Sequence, residues 1–185
     1  MQVLPHMTVL SPCDAVETEQ MVKAMVEHKG PVYIRINRND LPVVSDPSAE
    51  YHIGKMTEVV EGSDAVVFAT GVMVQQSMAA AELLKAEGVS VRVVNVSTIK
   101  PLDKEALLGY CEGVKGVVTA EEHSTIGGLG SVVCQALAKS KLPVEMLGVD
   151  DRYGTSAENY DILLKHYGLE PKDVAQKVRD VLSGK

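Results

Sequence analysis

The residues best equipped for chemistry lie together at positions 118–131, in VTAEEHSTIGGLGS. Two adjacent acids, Glu121 and Glu122, precede His123, and a glycine-rich turn follows. A histidine beside carboxylates has the make-up of a general base, because imidazole titrates near neutrality. A glycine turn between a strand and a helix has the make-up of a phosphate cradle, because helix N-terminal amides favour an anion. Each reading meets an objection. A dinucleotide fingerprint needs GxGxxG; Gly128 and Gly130 supply the first half, but position 133 is Val. A P-loop needs a lysine after its last glycine, and Ser131 stands there instead. Glu121 and Glu122 would repel a phosphate unless Mg²⁺ intervened. No serine or cysteine nucleophile is spaced to sit beside His123. The Gly127 to Gly130 turn is left between a tight backbone turn, a contact with another subunit and a phosphate site. A positive φ is expected at Gly128, which only glycine adopts freely.

The other reactive side chains are scattered. His28, His52 and His166 have no metal-ligand spacing, and Cys13, Cys111 and Cys134 form no CxxC pair. The cysteines read as reduced thiols on apolar faces; Cys134, among Val132, Val133, Ala136 and Leu137, reads as packing. In IRINRND, residues 34–40, strand alternation sets Arg35 on the opposite face from Ile34 and Ile36, as a structural or interface charge. The formal charge of −7 argues against nucleic acid or an anionic membrane as partner, since phosphate surfaces reward excess Lys and Arg. No run of 18 apolar residues appears, and a cytoplasmic protein is expected.

Positioning these groups falls to alternating strands and helices. Residues 7–10 read as a strand. A helix start follows, with Ser11 as cap, Pro12 in the first turn and Asp14 at its third position, and Gly30 as its stop. Residues 32–36 form the next strand. The polar, proline-bearing stretch 37–50 is a candidate boundary. Beyond it, 51–62 reads as an edge segment, and 64–71, 89–96, 116–121 and 143–149 as strands. Helices are expected at 73–87, at 103–111 and from the glycine turn to about 140. Thr155 with Glu158 is a capping-box signature for a helix ending at Gly168, and Pro171 opens the last helix. In that helix Val174, Ala175, Val178, Val181 and Leu182 make one apolar stripe. The expected class is α/β, in three layers: a mostly parallel sheet with helices on both faces. Phe68 is the only phenylalanine and Trp is absent, so aliphatic residues fill the core.

MTVLSPCDAVETEQ, GPVYIRINRNDLPVV, GSDAVVFATGVMVQQSMAAAELLKAEGVSVRVVNVSTIKPLD, VVTAEEHSTIGGLGS and YGTSAENYDILLKHYGL occur in this order. Together they resemble the C-terminal part of the transketolase family, to which 1-deoxy-D-xylulose-5-phosphate synthase is related. The resemblance implies that residues 1–48 are the C-terminal remnant of a pyrimidine-binding domain and 49–185 a transketolase C-terminal domain. It implies a thiamine-diphosphate-dependent enzyme that moves a two-carbon ketol unit between phosphosugars. Thiamine diphosphate and Mg²⁺ belong to the complete enzyme, and none is expected on this chain alone. Their ligands, and the glutamate that activates the cofactor, lie upstream of these residues in the family. The implied partners are the missing N-terminal section and a second copy of the chain, in a homodimer. The family keeps the glycine loop away from the cofactor, which favours structure and contact over phosphate at Gly127 to Gly130. One substrate residue carries over: an arginine just after the last strand of the pyrimidine domain, here Arg38, contacts the sugar phosphate through its guanidinium fork. The alternatives are the C-terminal part of a 2-oxo-acid dehydrogenase β subunit and a nonenzymatic association module. The first usually has a proline-rich ending that VDDRYGTSAENYDILLKHYGL lacks.

Overall fold

The computed structural model describes residues 1–184. The chain runs β1 (Thr8–Leu10), α1 (Ala15–Glu27), β2 (Val32–Ile34), β3 (Thr57–Val60), β4 (Ala65–Thr70), α2 (Met73–Lys85) and β5 (Val91–Asn95). It continues through β6 (Thr98–Lys100), α3 (Lys104–Tyr110), β7 (Val117–Ser124), α4 (Leu129–Ala136), β8 (Val144–Val149), α5 (Tyr160–Tyr167) and α6 (Pro171–Ser183).

The main sheet has the order β3-β5-β4-β7-β8. Its pairs are parallel except for β3, which lies antiparallel on the β5 edge. Alternation along β4 builds two cores at once. Val67 and Ala69 pack with Met73 and Leu84 of α2 and Val174 and Val178 of α6. Val66 and Phe68 pack on the opposite face with Leu107 of α3 and Leu129 and Val133 of α4. A strand covered on both faces has no polar side, which is why AVVFAT is an unbroken apolar run until Thr70. Burying a residue such as Phe68 or Leu84 completely contributes about 1.5–3 kcal/mol. The three-layer, mostly parallel α/β arrangement is the one expected. Among the described residues no helix is long and apolar enough to cross a membrane.

A second sheet, β2-β1-β6, joins the first residues of the chain to the rest. Strand β1 runs parallel to β2 and antiparallel to β6, and Ser11 N donates to Ser97 O across 2.8 Å. Strand β6 is absent from the sequence reading. Three residues before a proline carry no periodicity, and only the partner strand defines them.

The starts of α1 and α5 and the ends of β7 and α4 differ from expectation. The cap of α1 is Asp14, not Ser11: its Oδ1 accepts from Glu17 N at 2.8 Å. Ser11 instead directly follows β1, its amide bonded to Ser97 O, and Pro12 lies outside the helix. The cap of α5 is Asn159, whose Oδ1 accepts from Ile162 N, so Thr155 and Glu158 form no capping box. Residues 151–159 before it are exposed and form neither helix nor strand. A capping box does occur one helix later, between Glu170 and Asp173. Strand β7 runs three residues past Glu121, held by the pairing of Ser124 with Val149. His123 therefore sits on a strand, and α4 ends at Ala136 instead of near 140.

Candidate functional site

In a parallel sheet the carboxyl ends of the strands are the usual place for a ligand. Here the ends of β7 and β2 meet the start of α5. Alternation along β7 sends Glu121 and Glu122 to opposite sides.

Glu121 is fully buried and turns into the glycine loop. Its Oε2 accepts from Leu129 N at 2.7 Å and its Oε1 from Gly130 N at 2.8 Å. These are the first amides of α4, the groups that would otherwise bind a phosphate. The chain closes its own anion site with its own carboxylate. Burial pushes the Glu121 carboxyl up, while the two amides, His123 and Arg35 pull the other way. His123 Nδ1 stands 3.9 Å from Glu121 Oε2 and 3.0 Å from Ser124 O. It lies beside the cap, and among the described residues no nucleophile is hydrogen-bonded to it.

The glycines serve this closure, and one expectation about them is overturned. The positive φ is at Gly127, at 71°, whereas Gly128 has φ −90°. Gly128 is glycine for a different reason: a Cβ there would strike the Glu121 carboxylate and Ser124 O. At Gly130 a Cβ would come within 2.6 Å of Met146 Sδ and 2.8 Å of Thr119 Oγ1, so α4 packs directly on the sheet. Gly127 N donates to Ser131 Oγ, which donates to Thr125 O, and the loop is closed on itself.

Glu122 points toward residues 1–48. Asn37 Nδ2 donates to Tyr160 Oη at 2.9 Å and to Glu122 Oε2 at 3.3 Å. Burial raises the Glu122 carboxyl, opposed by Tyr160, Arg35 and Asn37. Burial and the facing Glu122 push the Tyr160 hydroxyl far above its ordinary range, so it stays neutral. Arg35 is a structural charge. Its Nη2 donates to Ser11 Oγ at 3.3 Å, burial lowers its pKa, and Glu121 and Glu122 offset that burial.

Arg38, three residues on, is exposed and makes no ion pair or hydrogen bond among the described residues. It lines an open cleft of about 290 Å³ with Pro12, Asp14, Thr18, Asn39 and Asp40. The charge of Asp14 is already spent. Burial would raise its carboxyl, but the amides of Glu17, Val44 and Ser45 hold it below the ordinary carboxylate range. Among the described residues Arg38 is the cation that lines this cleft, with exposed Asp40 two residues on.

A set of buried polar groups joins the two parts of the chain. Glu17 Oε2 accepts from Cys13 N at 2.7 Å and Glu17 Oε1 from Asn95 Nδ2 at 2.9 Å. Gln75 Nε2 donates to Cys13 O and Pro42 O. Cys13 joins the seam through its backbone N and O, while its side chain packs in the hydrophobic core with Val67 and Met73, the apolar setting expected of it. Burial and the nearby Glu17 push its thiol far above the ordinary range. Burial lifts Cys111 to about 11. Among the described residues no three His, Cys, Asp or Glu side chains converge to hold a metal. With the α4 amides also occupied, these residues do not fit a metal-bound diphosphate.

Sequence reasoning missed Glu121 as a cap, and Asn37, Tyr160, Glu17 and Asn95 as connecting groups. Glu121 had a local clue, an acid upstream of a glycine turn. The pairs Asn37–Tyr160 and Glu17–Asn95 are separated by 123 and 78 positions, and no pattern links them.

Comparison with known proteins agrees with this architecture. Residues 54–174 match the family model for the transketolase C-terminal domain, and residues 1–44 that for the transketolase pyrimidine-binding domain. A 6-deoxy-6-sulfo-D-fructose transketolase subunit of Clostridium sp. is 36% identical over 186 residues, covering 100% of this chain and 58% of that protein. A 1-deoxy-D-xylulose-5-phosphate synthase of Geobacter sulfurreducens is 37% identical over 185 residues, covering 97% of this chain and 29% of the enzyme. A solved split-gene transketolase, an inactive β4 tetramer, superposes with a TM-score of 0.92 at 41% identity, covering 99% of this chain and 59% of that one. The chain spans little more than half the length of the subunits it matches. Its two matched domains, their order and the architecture they share with a split-gene relative place the chain in the transketolase family, as a C-terminal section homologous to split-gene transketolase subunits.

Proposed function

We propose that the chain is the C-terminal section of a thiamine-diphosphate-dependent transketolase that transfers a two-carbon ketol unit between phosphosugars. Within it, Arg38 holds the substrate's phosphate. The observation that carries this reading is the contrast between the two arginines of IRINRND. Arg35 is engaged and facing two carboxylates, whereas Arg38 is exposed, unpartnered and at the mouth of a cleft. A guanidinium without an internal partner is suited to a charge-assisted, two-pronged contact with an external oxyanion. The names of two relatives each carry a sugar with a terminal anion, a sulfonate in one and a phosphate in the other.

Thiamine diphosphate, bound in the complete enzyme, would supply the nucleophilic carbon for ketol transfer. This chain's residues do not fit its diphosphate and Mg²⁺, so the cofactor's ligands are assigned to the partner section. That a split-gene relative is inactive as an assembly of β chains supports the need for such a partner. The roles left to this chain are to hold the substrate's distal phosphate and to take part in the assembly, as a homodimer joined to the partner section. The test is reconstitution. The chain is mixed with the section carrying the diphosphate-binding domain, Mg²⁺ and thiamine diphosphate, and ketol transfer is followed from a ketose phosphate to an aldose phosphate. Activity is expected only in the mixture; activity from this chain alone would sink the proposal.

A further inference from the structure

We infer that Tyr160 and Glu122, both from the C-terminal domain, are positioning residues for the substrate-phosphate contact, acting through Asn37 on the turn that presents Arg38. The inference rests on the reading of Arg38 as the phosphate ligand. It assigns this site a task for the C-terminal domain.

The argument starts from the Asn37 side chain, which has two donors and one acceptor oxygen. The donor end faces the C-terminal domain and reaches Tyr160 Oη at 2.9 Å and Glu122 Oε2 at 3.3 Å. The acceptor end therefore faces the other way. There Oδ1 accepts from Asn39 N at 2.8 Å and from Asn39 Nδ2 at 2.9 Å. An Asn oxygen bonded to the amide two residues on is an Asx turn, and it fixes the backbone of the residue between them. That residue is Arg38. One planar amide thus connects a hydroxyl on α5 and a carboxylate on β7 to both neighbours of the exposed guanidinium.

The geometry leaves Asn37 little choice. A flipped amide would turn its oxygen toward the Glu122 carboxylate and its NH₂ toward the Asn39 amide, facing like with like at both ends. Tyr160 and Glu122 are themselves held. Tyr160 opens α5, which Asn159 caps, and Glu122 sits between pairing residues of β7. The Arg38 turn, which belongs to no strand or helix, so gains a rigid support from across the chain. Positioning of this kind matters because a misplaced charge-assisted contact loses most of its worth within an ångström.

The test uses the reconstituted enzyme with Tyr160→Phe, which removes one hydroxyl, and Asn37→Ala as an independent second variant. Losing one such hydrogen bond is expected to raise KM for the phosphosugar about 3- to 10-fold with kcat little changed. The unphosphorylated analogue should be unaffected, and in an Arg38→Ala background Tyr160→Phe should add less than about 2-fold. Hydrogen exchange at the Asn39 amide should quicken in Tyr160→Phe. Equal losses on both substrates, or a loss that persists without Arg38, would overturn the inference while leaving Arg38 as phosphate ligand. If Arg38→Ala itself fails to discriminate phosphorylated from unphosphorylated sugar, the site reading falls and the inference falls with it. Unchanged Asn39 exchange in Tyr160→Phe would end the inference while leaving the site reading intact.

Discussion

Two places among the described residues invite comparison as anion sites: the glycine turn, which is closed, and the site proposed at Arg38. The turn from β7 into α4 has the glycines, the helix amides and the strand end that phosphate sites use, yet Glu121 is already bound there at 2.7 and 2.8 Å. The end of β2 has no glycine loop, and the helix N-terminus beside it is capped by Asp14, yet it presents Arg38 with no partner among the described residues. The difference teaches that an anion site is defined by unspent hydrogen-bonding capacity and not by the loop that surrounds it. Amides satisfied by an internal carboxylate have nothing left to offer a ligand. An arginine without an internal partner keeps its guanidinium donors for a ligand.

The strongest attack on the closed site is Gly128→Val. Its β-carbon would occupy the space of the Glu121 carboxylate and of Ser124 O, forcing the cap out of place. Overpacking of this kind, with a buried cap lost, is expected to cost about 3 kcal/mol or more. Gly127→Ala is the control: nothing lies within 4 Å of its β-carbon, and only the φ of 71° is strained, at about 1–2 kcal/mol. Thermal or urea unfolding of both variants checks the order, and a milder effect at 128 than at 127 would show that conformation, not contact, selects the glycines.

Glu121→Gln tests the same closure more gently. The amide keeps the shape but turns an NH₂ against one of the two helix donors, leaving a buried amide unmade at about 1–3 kcal/mol. Inorganic phosphate should raise the melting temperature of neither wild type nor variant. Stabilisation of the wild type by millimolar phosphate would mean that the loop is open after all.

Asp14→Asn asks whether the cleft's own acid is truly committed. Asp14 caps α1 and also accepts from Val44 and Ser45, so Asn should cost about 1–2 kcal/mol at neutral pH. The pH dependence has a definite sign. The Asp14 carboxyl is depressed in the folded state, so its contribution is present above the unfolded value near 3.8 and fades as pH falls through the folded value. The stability gap between wild type and Asp14→Asn should therefore narrow below about pH 4. Glu121 and Glu122, raised by burial, act oppositely: their contributions diminish as pH rises through their folded values. A gap that widens in acid would mean that Asp14 is not held ionised.

Legibility followed the range of the forces. The parallel sheet could be read because each buried strand carries its own apolar run, as AVVFAT does, and because α6 carries its own stripe. Helix starts were less legible, since Ser11, Asp14, Thr155 and Asn159 are all competent caps and packing decides which one is used. Strand β6 and the connections of Asn37, Tyr160, Glu17 and Asn95 were invisible, because each exists only through a partner far along the chain. The glycine loop was half legible. The absence of a lysine and the presence of acids argued against phosphate, but which glycine bears the positive φ depended on where Glu121 turns. Arg38 came forward by resemblance, and its freedom from internal partners became apparent only in three dimensions.

Arg38→Ala should have the smallest effect on folding and the most selective effect on function. An exposed side chain with no internal partner is expected to change stability by less than about 0.5 kcal/mol. Its effect in the reconstituted enzyme should be of a different order, because a lost charge-assisted contact to phosphate is worth roughly 1.5–3 kcal/mol, or about 10- to 100-fold in kcat/KM. The loss should fall on phosphorylated sugars and spare their unphosphorylated analogues, since only the former offer an oxyanion to the guanidinium. Arg38→Lys sharpens the point. It keeps the charge but not the fork, and should recover part of the affinity for phosphate without restoring it fully. Arg35→Ala supplies the contrast: it leaves Glu121 and Glu122 without their nearby cation and should destabilise the fold whatever the substrate. If Arg38→Ala instead lowers activity on both kinds of sugar alike, or melts several degrees below the wild type, then Arg38 is a second structural arginine. The open site would then have to be sought elsewhere along the end of β2.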